Sequence, residues 1–197
     1  MNAALRALRR RYPWPGKRPD VPEDWHGWLC PETATMLRRH LRAEARIVVE
    51  TGSWLGMSAR HILRHAPRAT LVCIDTWKGS PEHLGNPDWS QRLATLYETF
   101  CRNLWERRAR IVPMRTEALQ GLTELHTLGI VPDLVYVDDL HEYGHVLREL
   151  TLLDAQWHEV RLVGDDYNQG EVQRAVQTAA AATARKLTHN TVAWSLR

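Results

Sequence analysis

The chain has only three cysteines in 197 residues, Cys30, Cys73 and Cys101. They are widely separated, odd in number and without paired ligand spacing, which argues against a disulfide framework and against a zinc site. No apolar run approaches the ~20 residues that a membrane-crossing helix requires. The first residues carry arginines but lack the apolar stretch and small-residue cleavage site of a secretory leader. A cytoplasmic protein with no membrane span is the expectation. Acidic residues are missing from the first eighteen positions, which hold Arg6, Arg9, Arg10, Arg11, Lys17 and Arg18. This basic stretch is expected to be a solvated tail or a surface helix, with nucleic acid or an acidic partner as the alternative contact. The net charge of +3 is mild.

What is present suits one domain: 44% of the residues are hydrophobic, enough for a single sizeable core and too few for two. Five prolines, Pro13, Pro15, Pro19, Pro22 and Pro31, are mixed with Trp14, Trp25 and Trp28. Proline removes donors and fixes φ, whereas tryptophan favours burial, so residues 1–30 read as a basic, Pro/Trp-rich arm laid over a domain spanning 31–197. The arm is placed either to cover a binding site or to pair subunits in an oligomer.

Within the domain, helices and strands alternate. Helix is expected at 31–45, 58–65, 91–106, 117–128, 143–155 and 170–184. Strands are expected at 46–51, 69–75, 110–114, 134–138 and 160–164. Strands apolar on both faces and separated by helices predict a doubly wound, Rossmann-like α/β fold with a mainly parallel sheet. The end of the chain, 186–196, alternates polar and apolar residues around His189 and Asn190 and predicts a C-terminal hairpin.

Open parallel sheets bind ligands beyond the carboxyl ends of their strands. After the first strand stand Glu50, Thr51, Gly52, Ser53, Trp54, Leu55, Gly56, Met57 and Ser58. Glycines there permit a tight turn and close approach to the backbone. An acid ahead of them suits a cationic ligand rather than a pyrophosphate, and S-adenosylmethionine carries both an ammonium and a sulfonium. Asp75 ends the second strand, where a carboxylate can accept two ribose hydroxyls. Thr116 and Glu117 follow the third strand at a place for adenine contact or helix capping. Trp77 is the candidate for stacking on the adenine ring.

Acids also follow the fourth and fifth strands: Asp138 and Asp139, then Asp165 and Asp166. Neighbouring carboxylates in low dielectric call for a cation or a proton. Asp138, Asp165 and Asp166 are expected to hold Mg²⁺, which would lower the pKa of an acceptor hydroxyl. His141 is the candidate general base, with Asp138 beside it as a catalytic group.

From about His26 to Val176 the sequence resembles the class I S-adenosylmethionine-dependent methyltransferases of methyltransferase family 24. The resemblance rests on 26–29, 49–58, 74–83, 95–100, 132–138, 141–143 and 163–167, in that order. It implies that Gly52, Ser53, Gly56 and Ser58 line the methionine end of the cofactor and that Asp75 holds the ribose. It also implies a divalent cation on Asp138, Asp165 and Asp166. Two places depart from the pattern: Asp139-Leu140, where many relatives carry a small residue and another acid, and Asn168-Gln169, where an aromatic is expected. The function implied is O-methylation of a small-molecule acceptor, sugar-like or phenolic. A nucleic-acid methyltransferase using the basic arm is the first alternative, although the chain lacks the Pro-Pro-Tyr loop of amino-methylating enzymes. A non-catalytic cofactor-binding module is the second.

Overall fold

The computed structural model describes residues 3–84, 86 and 89–197. Helix α1 (Ala3–Arg11) opens the chain, and α2 (Pro31–His40) follows the proline-rich arm. Then come β1 (Ile47–Thr51), α3 (Met57–His65) and β2 (Thr70–Asp75). Three short helices follow: α4 (Pro81–Leu84), α5 (Ser90–Ala94) and α6 (Leu96–Asn103). The remaining order is β3 (Ile111–Arg115), α7 (Ala118–Thr127), β4 (Leu134–Val137), α8 (Tyr143–Gln156), β5 (Arg161–Gly164) and α9 (Gly170–Thr183). The hairpin strands are β6 (Leu187–His189) and β7 (Trp194–Leu196).

The seven strands are ordered β3-β2-β1-β4-β5-β7-β6. The first five in that order are parallel, and β7 enters antiparallel against β5 and β6. Strand order reverses direction between β1 and β4, which opens a crevice at their carboxyl ends. Gly52 and Asp138 stand at that crevice.

Alternation along the strands sorts the core into two layers. Val49, Val72, Val112, Val135 and Leu162 pack under α7, α8 and α9, while Val48, Leu71, Cys73, Tyr136 and Val163 pack under α2, α3 and α6. By this parity Glu50 faces the α2–α3 layer and Thr51 the α8 layer. The hairpin is anchored by Arg185, whose buried guanidinium donates to Asp154 (2.7 Å) and to the carbonyls of Val160 (2.6 Å) and Trp157 (2.9 Å).

One expectation changes in detail, and of the two readings of the basic stretch the surface helix is the one found. The helix expected over 91–106 is broken into α5, α6 and a 3₁₀ turn at Trp105–Arg110, because the chain leaves helical geometry at Thr95 (φ −126°, ψ 18°). The basic N-terminal stretch is a docked helix: Leu5 and Leu8 enter the core, and Arg9 donates to the carbonyls of Ile111 (3.2 Å) and Ala109 (2.8 Å). Beyond it, Trp14 stacks on Phe100, Asp24 pairs with Arg92 at 2.7 Å, and Asn103 donates to the Asp24 carbonyl at 2.6 Å. No described helix is long and apolar enough to cross a membrane.

Candidate functional site

Gly52 turns the chain out of β1 with φ +76°, and a Cβ there would collide with the main-chain oxygen of Asp138. The loops after β1 and β4 therefore touch backbone to backbone, which only glycine permits. Behind this loop the Glu50 side chain is fully buried. One carboxylate oxygen accepts from Ser53 Oγ at 2.6 Å, and the other, Oε1, has no aligned hydrogen-bond partner. Burial pushes the Glu50 carboxyl up to about 7, against the pull of Ser53, Ser58 and Cys73. An orphaned carboxylate oxygen beneath a glycine loop is a place for a cationic group.

Asp75 accepts from the backbone N–H of Trp54 (2.8 Å) and of Trp77 (2.6 Å). Burial pushes its carboxyl up to about 6, those two donors holding it back. A carboxylate has about four lone-pair sites, so acceptor capacity remains for a ligand hydroxyl. Trp54 and Trp77 both have positive φ, 46° and 49°. Their backbones are held there by Asp75, and Trp77 Nε1 donates to the Trp54 carbonyl at 2.9 Å.

Trp77 does not meet the expectation of an adenine-stacking ring. It is buried and packs against Tyr97 and Phe100, so its faces belong to the core. Thr116 donates to Gln120 within the first turn of α7, and Glu117 is exposed at the N-cap position of that helix.

On the other side of the crevice, Asp138 accepts from the Tyr136 hydroxyl at 3.0 Å. Burial, then the charges of Asp165 and Asp166, push its carboxyl well above the usual carboxylate range. His141 Nε2 lies 2.9 Å from Asp166 Oδ2. Burial acts to raise Asp166, but the hydrogen bond and charge of His141 outweigh it and leave the carboxyl below its ordinary value. Donor atoms of Asp138, His141 and Asp166 all lie within 4.8 Å of one another.

The expected metal set therefore changes in membership. Asp165 Oδ1 is taken up by Thr33 Oγ1 at 2.6 Å and the Asp166 N–H at 3.0 Å, and the donor atoms that converge are those of Asp138, His141 and Asp166. Sequence reasoning missed Thr33, which reaches Asp165 across 132 positions. It also missed Tyr136, although a period-two reading of β4 places it on the same side as Asp138.

The arm closes the front. Gly27, Trp28, Leu29, Gly52, Ser53, Trp54, Met57, Ser58 and Asp138 line a cavity of about 30 Å³. By that measure it holds about one water. Around the mouth, Trp54 stacks on His83 (4.6 Å), Trp28 on His83 (5.7 Å), and Trp89 lies 5.7 Å from both tryptophans. Trp28 remains 57% exposed.

Residues 49–167 match a family described as a methyltransferase domain, family 24. No curated protein matches the chain significantly. Among solved structures, it is similar to the O-methyltransferase TomG of Streptomyces achromogenes, involved in tomaymycin synthesis and solved in complex with S-adenosylmethionine. The TM-score is 0.60 at 17% identity, over 100% of this chain and 90% of that one. An O-methyltransferase from Bacillus cereus, solved with S-adenosylhomocysteine, has a TM-score of 0.56 at 12% identity, over 100% and 91% of the two chains. Fibrillarin from Aeropyrum pernix, with natively bound S-adenosylmethionine, has a TM-score of 0.58 at 11% identity, over 83% and 73%. At these identities the structural likeness establishes the fold alone. The family match spans more than half of the sequence, and the chain belongs to family 24 of the class I S-adenosylmethionine-dependent methyltransferases.

Proposed function

We propose that this chain is an O-methyltransferase that moves the methyl group of S-adenosylmethionine onto the hydroxyl of a small, planar, phenol-like acceptor. The observation that carries the reading is the His141–Asp166 pair at 2.9 Å, set beside Asp138 on the rim of the crevice. The residues present fit the cofactor: Glu50 Oε1 would receive its ammonium, the loop from Gly52 to Ser58 its methionine end, and Asp75 its ribose. When bound, S-adenosylmethionine supplies an activated methyl carbon on a positively charged sulfur.

The chain's own part is alignment and proton removal. Asp166 pairs with His141 Nε2 and orients the ring, and His141 is the group that would act as general base. His141 would take the proton of the acceptor hydroxyl and Asp166 would stabilise the imidazolium so formed, while the bound cofactor would supply the methyl group to the acceptor oxygen. The aromatic mouth of Trp28, Trp54 and Trp89 supplies flat apolar faces for a ring-bearing acceptor.

A second reading adds a divalent cation, favoured by the convergence of Asp138, His141 and Asp166 donor atoms. Those residues would hold it, and it would acidify the acceptor hydroxyl. The basic arm gives less support to a nucleic-acid acceptor, because Arg9 is bonded to main-chain carbonyls, Arg11 pairs with Glu124, and Arg18 pairs with Glu23. The test is methyl transfer to a panel of phenols, sugars and RNA, with and without a chelator, on wild type and His141→Gln. Turnover of a phenol that falls ~100-fold or more in His141→Gln is the expected result. Transfer to RNA alone, or undiminished turnover in the variant, overturns the reading.

A further inference from the structure

A second cluster lies on the opposite side of β1 from Glu50 and shares no residue with the pair above. Asp139 comes from the loop after β4, and His145 and Glu149 come from one face of α8, four positions apart. His145 Nε2 stands 3.1 Å from Asp139 Oδ2 and 3.7 Å from Glu149 Oε2. All three donor atoms fall within 4.8 Å of one another. The Glu149 side chain is 1% exposed, and its Oε2, like His145 Nε2, has no aligned hydrogen-bond partner. Its other oxygen accepts from Thr51 Oγ1 at 2.8 Å.

The geometry points to a metal site of Asp139 Oδ2, His145 Nε2 and Glu149 Oε2 that takes a zinc-like transition-metal dication and ties the loop after β4 to α8. Ligands ~2.1 Å from a tetrahedral ion are ~3.4 Å apart, which is the spacing seen around His145. One imidazole with two carboxylates suits Zn²⁺ or Co²⁺ better than Mg²⁺, which favours oxygen ligands alone. Three protein ligands leave a fourth position for water. The dication offsets the charge of two carboxylates whose shared neighbour in the cluster is His145. Thr51 then acts as the outer partner that orients Glu149. Since Asp139 directly follows Asp138, the ion also fixes the peptide that carries the rim residues.

Cobalt(II) alone is the probe, titrated into untagged full-length protein and followed by visible d–d absorption and by Tm. Wild type and Asp166→Asn, which removes a donor of the other cluster, are expected to give the same tetrahedral spectrum with one equivalent. Both are also expected to show a rise in Tm. Glu149→Gln keeps an oxygen for the Thr51 hydrogen bond, and Asp139→Asn keeps the size of a side chain that is 25% exposed. Each is expected to weaken cobalt binding by ~100-fold or more. A spectrum lost in Asp166→Asn but kept in Asp139→Asn and Glu149→Gln overturns the assignment. So does the absence of saturable binding to folded wild type.

Discussion

Replacing Glu50 by glutamine removes a buried charge without changing its shape, and its consequences for stability and for binding have opposite signs. Burial raises the Glu50 carboxyl from its ordinary 4.5 to about 7. Between those two values the folded protein holds more protons than the unfolded chain, so stability falls as pH rises through that interval. The full shift corresponds to roughly 3 kcal/mol, lost once the pH is well above ~7. Glu50→Gln is therefore expected to be more stable than wild type in denaturant unfolding at pH ~8, by up to that amount, and to lose the advantage near pH ~5. Cofactor binding goes the other way. The ammonium would pair with the ionised carboxylate, so wild type should release about half a proton on binding at pH ~7, and more at pH ~6. Calorimetry in buffers of different ionisation enthalpy measures that release directly. Glu50→Gln should release none through this group and bind the cofactor ~10- to 100-fold more weakly, the worth of one charge-assisted hydrogen bond. Equal affinity and equal proton release in the two proteins would refute the assignment of Glu50 to the ammonium.

Gly52→Ala forces a Cβ against the Asp138 main-chain oxygen at φ +76°; a loss of ~2 kcal/mol or more in unfolding free energy is expected, together with loss of cofactor binding by calorimetry. Arg185→Met leaves the Val160 and Trp157 carbonyls without the donors now at 2.6 and 2.9 Å and leaves Asp154 with His158 as its remaining partner; chemical denaturation should show a loss of about 3 kcal/mol. Trp28→Ala takes away a ring that is 57% exposed at the mouth, so the acceptor KM should rise in steady-state kinetics while the fold is kept.

Much of the fold was legible because its strands are buried on both faces and its helices lie between them, a pattern that leaves few alternatives to a parallel sheet. The hairpin was legible from alternation through Trp194. Docking of α1 was not, since Leu5 and Leu8 are its apolar contacts to the core amid arginines whose charge suggests solvent. The break at Thr95 was hidden as well, because nothing in composition marks it. In the candidate site, the placing of Gly52, Glu50 and Asp75 around the ends of β1 and β2 was legible from the order of the strands. The exchange of Asp165 for His141 was not, because it depends on Thr33, a residue of α2 that captures one carboxylate of an adjacent pair. Trp77 was misleading for a related reason: its place in the chain is at the rim, but its positive φ turns the ring into the core.

The central claim is that the carboxyl ends of β1 and β2 hold S-adenosylmethionine. Titration calorimetry of the full chain with S-adenosylmethionine and S-adenosylhomocysteine, on wild type and Asp75→Ala, tests it most directly. Micromolar binding of both ligands to wild type, weakened ~10-fold or more in a folded Asp75→Ala protein, is the expected result. No binding of either ligand to folded wild type, or binding indifferent to Asp75, would contradict it.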